Sequence, residues 1–195
     1  MPPPPTSSDA PEQRSLAAIV FTDVAGFSRR VQVEESDTLR LLERDFVTMR
    51  AFSAMHSGRV IKSTGDGLLL FFTSAVHAVE WSLRTQRHFA DQAALLPADE
   101  VLRHRVGVHL GDVFVGAGDV MGDGVNIAAR VMAEAQPGSI CISQVVYGVV
   151  KNKLKLDVVR LEPRPLKNIS EAVLIYRVLL EPPVQKIAPM APPRA

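Results

Sequence analysis

Hydrophobic positions alternate or run together in short blocks separated by longer stretches with helical spacing, which is the pattern of a mixed sheet-and-helix domain. "LAAIVFTD" (16–23) reads as a buried strand, and Gly26 to about Met55 as helical, with a break near Glu35–Ser36. In the second part of that stretch Leu39, Leu42, Phe46 and Met49 recur at helical spacing and predict one apolar face. "GRVIKSTGDGLLLFF" (58–72) is two β-rich runs around a glycine-containing turn, a hairpin signal. A helix is predicted over 74–93, and "RHRVGVHLGDVFVG" (103–116) reads as two strands with a tight turn at Gly111–Asp112.

"VMGDGVNIAARVMAEAQ" (120–136) is expected to be a loop leading into a helix stopped by Pro137–Gly138. A strand at "SICIS", a short helix near 144–151 and strands in "LKLDVVRL" and "AVLIYRVLL" complete the chain. The order, with no internal repeat, implies an α+β fold with helices packed against an antiparallel-rich sheet, and a ferredoxin-like core fits it. Proline crowds into both ends, so 1–15 and 181–195 are expected to be extended or disordered tails flanking one domain at 16–180.

Composition narrows the picture. At 195 residues and 47% hydrophobic, the chain suffices for one domain with a sizeable core. Its formal net charge of +1 lacks the basic excess expected of a nucleic-acid or anionic-membrane binder. No run approaches the roughly 20 apolar residues of a membrane span, and the N-terminus has no secretory h-region. A cytoplasmic location is therefore expected. The single cysteine, Cys141, lies in an apolar strand and is read as a packed thiol.

The chemistry-bearing residues begin with "VFTDVAGFS" (20–28), where a strand runs into Asp23 with no cation beside it in sequence. A carboxylate at a buried strand end costs desolvation unless something meets it. Asp66, in "STGDGLL", repeats the pattern. Taken singly, Asp23 reads equally as a helix cap and Asp66 as a turn residue. Brought together, two carboxylates repel unless a proton or a divalent cation lies between them, and hard oxygen ligands suit Mg²⁺ that keeps waters and phosphates.

The small residues of "VAGFS" open a helix whose free N–H groups, over Ala25, Gly26, Phe27 and Ser28, could hold phosphate oxygens. No Walker G-x-x-x-x-G-K-[ST] sequence is present. Asn126 and Arg130 stand four apart on one predicted helix face. Arg130 reads either as a surface residue covering the helix with its stem or as a guanidinium aimed at a phosphoryl group.

Taken together, "FTDVAGFS", "KSTGDG", "GVHLGDV", "DVMGDGVNIAAR" and "LKNISEAVLIYRV" resemble, in order and approximate spacing, the catalytic domain of the class III nucleotidyl cyclases. The resemblance covers about residues 16–180. It implies that Asp23 and Asp66 bind two divalent cations, Mg²⁺ with Mn²⁺ as a substitute, joined by the carbonyl of Val24. It implies further that Asn126 orients the ribose and that Arg130 stabilises the transition state. Lys62 and Asp119 match the pair that reads the purine, and in these identities resemble adenylate rather than guanylate cyclases. A Lys donor and an Asp acceptor complement adenine's ring nitrogen and exocyclic amine, whereas guanine presents the reverse pattern. The alternative is that the two simply pair on the surface.

Lys167, in "PLKNIS", lies where the family often has a phosphate-binding lysine, although "LEPRPLKN" departs from the glycine-containing loop usual before it. The resemblance implies ATP as substrate and a homodimer with two shared active sites, one chain supplying the metal aspartates and the other Asn126, Arg130 and the base-reading pair. The readings beside it are a guanylate or other nucleotidyl cyclase and a catalytically silent dimerisation or regulatory module. No sensor or membrane anchor is legible in the sequence, so regulation is expected to come from a partner or another domain.

Overall fold

The computed structural model describes residues 13–116, 118–162 and 173–180. The first strand, β1 (Gln13–Val24), begins three residues before the expected start and is followed by α1 (Phe27–Val33) and α2 (Glu35–Met55), which break at Glu34. A hairpin of β2 (Gly58–Ser63) and β3 (Leu68–Phe72) leads to α3 (Ala75–Ala93), whose N-cap Ser74 accepts from the His77 amide. Then come β4 (His104–Gly116), β5 (Asp119–Met121), α4 (Asp123–Ala133), β6 (Ile140–Ser143), α5 (Gln144–Val150), β7 (Val158–Arg160) and β8 (Ile175–Val178).

The sheet runs β2-β3-β1-β4-β6-β8-β7, with β5 paired to β4. The pairs are antiparallel except β4 with β6. Its first four strands, with α2 and α3 as crossovers, have the ferredoxin-like order in which β1 lies between two antiparallel neighbours. This is the α+β architecture that the hydrophobic pattern predicts.

Three details differ from the sequence-based expectations. No turn occurs at Gly111–Asp112: β4 runs straight through, because both residues pair with β1, Gly111 opposite Ala17 and Asp112 opposite Leu16. Long cross-strand pairing outweighs the local turn preference of a Gly-Asp step. The stretch expected to be a loop before α4 instead holds β5, whose Val120 pairs with Val115. On α2 the buried face contains Leu41, Leu42, Phe46 and Met49, while Leu39 is exposed and the acidic Asp45 is buried among them.

Alternation along β1 divides the core. Ala18, Val20 and Val24 pack with α2 and α3 residues such as Phe46, Met49 and Trp81, whereas Ala17 and Ile19 face Val113, Val120 and Ala128 beneath α4. Helix α4 rests directly on β4. A Cβ at Gly107 would lie 2.2 Å from the Met132 amide nitrogen, so only glycine permits this approach. Cys141 is buried in β6, and burial pushes its thiol up to about 11, which leaves it an unreactive hydrophobe.

Candidate active site

The β2–β3 turn brings Asp66 to Asp23, and one glycine makes the approach possible. A Cβ on Gly67 would lie 1.8 Å from the Thr22 carbonyl oxygen, so the turn lies flush against the end of β1. It is held there by the Leu68 amide, which donates to Thr22 Oγ1 at 2.9 Å. Within the turn the Thr64 amide donates to the Gly67 carbonyl at 2.9 Å, and Ser63 Oγ to the Gly65 carbonyl at 3.2 Å.

The consequence is electrostatic. Burial raises the affinity of the Asp66 carboxyl for a proton, the neighbouring Asp23 charge raises it further, and backbone donors including the Val24 amide oppose the rise. Two carboxylates thus share one small region. Asp23 is not a helix cap: the residue preceding α1 is Gly26, at φ +74°, and no side chain caps that helix.

The cation that Asp23 lacks in sequence arrives across the sheet. Asp23 pairs in register with Arg105 on β4, and the Arg105 guanidinium donates to Asp23 Oδ2. Arg105 was not among the residues singled out from sequence. The only signal for it would have been the β1–β4 register, which local patterning does not reveal.

Val24 ends β1 opposite His104, and its carbonyl belongs to the same strand end as Asp23. The expected phosphate cradle is narrower than its sequence suggests: the Ala25 amide is already committed to the Arg103 carbonyl at 2.9 Å. The first-turn amides of α1, at Phe27 and Ser28, have no acceptor within the helix.

As a donor set, the site offers two carboxylates and a backbone carbonyl. Among the described residues no three His, Cys, Asp or Glu side chains cluster as a complete protein cage. Few protein oxygens, with waters and phosphates completing the shell, is the arrangement that suits Mg²⁺. The residues present therefore fit the divalent cations that the family resemblance implies.

Lys62, on β2, and Asp119, on β5, meet across the sheet with Nζ 2.6 Å from Oδ2, each side chain roughly half exposed. The hydrogen bond from Lys62 holds the Asp119 carboxyl below its usual range, helped by the Val120 amide. Asn126 and Arg130 both lie on α4, Asn126 exposed and Arg130 half-buried. Among the described residues neither makes a side-chain hydrogen bond or ion pair to Asp23 or Asp66 in the same chain. Lys167 falls outside the described residues.

The sheet order and the two carboxylates at neighbouring strand ends agree with what the resemblance to class III nucleotidyl cyclases implies. The family model described as "Adenylate and Guanylate cyclase catalytic domain" matches residues 10–178, and the chain belongs to that family. It is 41% identical over 165 residues, 84% of this chain, to the Rhizobium meliloti (strain 1021) protein named "Putative adenylate cyclase 3", and spans 28% of that relative's length.

Among solved structures, the adenylate/guanylate cyclase/hydrolase from Silicibacter pomeroyi superposes with a TM-score of 0.80 at 30% identity, covering 88% of this chain and 100% of that one. The adenylyl cyclase CyaB from P. aeruginosa shares the fold with a TM-score of 0.76 at 24% identity, covering 88% of this chain and 97% of that one.

Proposed function

We propose that the chain is an adenylate cyclase that converts ATP to 3′,5′-cyclic AMP and pyrophosphate at sites shared between two copies. The observation that carries the reading is the convergence of Asp23 and Asp66 beside a helix start with open amides. Divalent cations bound by those carboxylates and the Val24 carbonyl supply activation of the 3′-hydroxyl and neutralisation of the triphosphate.

The chain's own groups do the rest. Phe27 and Ser28 amides donate to phosphate oxygens. Arg105, whose guanidinium donates to Asp23, would keep positive charge beside the bound phosphates. The ribose 3′-oxygen attacks the α-phosphorus as the bond to the pyrophosphate oxygen breaks, and the hydroxyl proton leaves to solvent. Arg130 donates to the α-phosphoryl oxygens where charge builds, and Asn126 holds the ribose.

Base choice rests on Lys62 and Asp119. Lys62 donates to the adenine ring nitrogen and Asp119 accepts from the exocyclic amine, a match that guanine reverses. In the free chain Lys62 Nζ donates to Asp119 Oδ2 at 2.6 Å, so reading adenine requires the two to exchange that bond for the base. The support for ATP is the Lys and Asp identities themselves and the 41% identity to a protein named as a putative adenylate cyclase. In a homodimer, Asn126 and Arg130 on α4 of one copy would complete the site that Asp23 and Asp66 of the other begin, as the family resemblance implies.

The test is direct. Purified protein is incubated with ATP or GTP and Mg²⁺ or Mn²⁺, and cyclic nucleotide is quantified. Cyclic AMP formation that disappears in Asp66→Asn is the expected result. Absence of any cyclic nucleotide from wild-type protein at concentrations where it dimerises overturns the reading.

A further inference from the structure

The helix layer behind the candidate site contains a charged cluster for which the cyclase reading has no use. Asp45 is 2% exposed on α2, and its Oδ2 lies 2.8 Å from Nε2 of the wholly buried His104. Arg44 Nε donates to the other carboxylate oxygen at 2.9 Å, and Arg44 Nη2 to the Glu100 carbonyl at 3.1 Å, on the loop that leads into β4. The His104 ring stacks on Phe89 with centroids 4.8 Å apart, and its Nδ1 has no hydrogen-bond partner among the described residues. Among the described residues the imidazole is therefore oriented through one polar contact, the Nε2–H donated to Asp45.

His104 is also where this layer meets the site. It is the first residue of β4 and pairs with Val24, while the next residue, Arg105, pairs with Asp23. Side chains alternate along a strand, so His104 points to the helices and Arg105 to the opposite face. The His104 carbonyl accepts from Gln86 Nε2 at 2.8 Å and from the Gly138 amide at 2.9 Å, and the Arg103 carbonyl accepts from Ala25. Every one of these bonds converges on the last rungs of the β1–β4 ladder. Apolar side chains would fill the same space with little loss of stability, because desolvating buried polar and charged groups offsets most of their mutual attraction. What the cluster adds is direction: hydrogen bonds define angle and register, which apolar contact does not.

We infer that Asp45 and His104 are positioning residues for the cation site, holding the end of β1 so that Asp23 and the Val24 carbonyl face Asp66 at a constant distance. The inference rests on the cyclase reading for the nature of the ion. Its test uses the full chain with Mn²⁺ alone as probe, free ion being followed by electron paramagnetic resonance, and the melting temperature measured alongside.

The double variant Asp45→Leu/His104→Phe fills the layer with apolar atoms. It is expected to melt within a few degrees of wild type yet bind Mn²⁺ at least threefold more weakly; a retained melting temperature with less than a threefold change overturns the inference. Should that variant not fold, Asp45→Asn keeps the volume and one hydrogen bond, and is expected to weaken Mn²⁺ binding at least twofold, a smaller change again overturning it. Asp23→Asn in the same titration separates the two levels: if it binds Mn²⁺ like wild type, the cation reading falls and takes this inference with it.

Discussion

Replacing Gly67 with alanine should inactivate the protein without touching a functional side chain. A Cβ there would lie 1.8 Å from the Thr22 carbonyl oxygen, far inside the 3.0 Å below which real contacts essentially never fall. Backbone stands on both sides, so no rotamer change relieves the clash, and the β2–β3 turn must retreat by about 1 Å, the scale of misplacement that costs roughly 100-fold in rate. The retreat also stretches the 2.9 Å bond from the Leu68 amide to Thr22 Oγ1. Overpacking of this kind costs about 1–3 kcal/mol, and the strained hydrogen bond adds about 1 kcal/mol. In a domain of this size that lowers the melting temperature by roughly 4–16 °C.

The control is Gly65→Ala in the same turn, where φ is +95° but a Cβ meets nothing within 4 Å. It should cost about 1 kcal/mol from backbone strain and retain far more activity. Cyclic AMP production and thermal melts on both variants decide the matter. If Gly67→Ala retains more than a third of wild-type kcat, the flush packing of this turn is not what places Asp66.

Mixing Asp23→Ala with Arg130→Ala protein, each inactive alone, should restore about a quarter of wild-type activity in an equal mixture, because half the dimers are mixed and each has one intact site. No recovery after confirmed subunit exchange counts against shared sites. Lys62→Glu sets a second carboxylate against Asp119. The kcat/KM for ATP should fall about tenfold to 100-fold with stability changed by less than about 1 kcal/mol, and equal ATP kinetics would remove Lys62 from base recognition. His109 is buried against Ser143, and burial lowers its pKa to about 4. The unfolded chain therefore binds this proton first, so the stability present above pH 6.5 is lost as pH falls toward 4, by about 2 kcal/mol at pH 5. Urea midpoints at pH 7 and pH 5 should show a smaller drop for His109→Asn than for wild type, and identical drops would refute the assignment.

Much of this was legible in the residues because its causes are local. The strand entering Asp23, the hairpin at 58–72 and the α3 helix follow from periodicity and glycine placement, which report backbone preference within a few residues. Asp23, Asp66, Asn126 and Arg130 stood out because each is a polar group where the surrounding pattern calls for apolar or small ones. The Gly111–Asp112 turn failed for the opposite reason, since β1 pairs along the whole of β4 and that partner is about ninety residues away in sequence.

By itself, then, the sequence determined most of the elements and the α+β class, and it singled out the residues proposed for phosphate and cation chemistry, all of which depend on side-chain identity and short-range spacing. Only the tertiary structure decided which of them meet. Register across β1 and β4 put Arg105 on Asp23, the absence of a Cβ at Gly67 let Asp66 approach, and the pairing of β4 with β5 set Asp119 against Lys62. Asp45 shows the same division. Local patterning did not single it out; its neighbour Arg44 meets one carboxylate oxygen, and only the fold supplies His104 for the other.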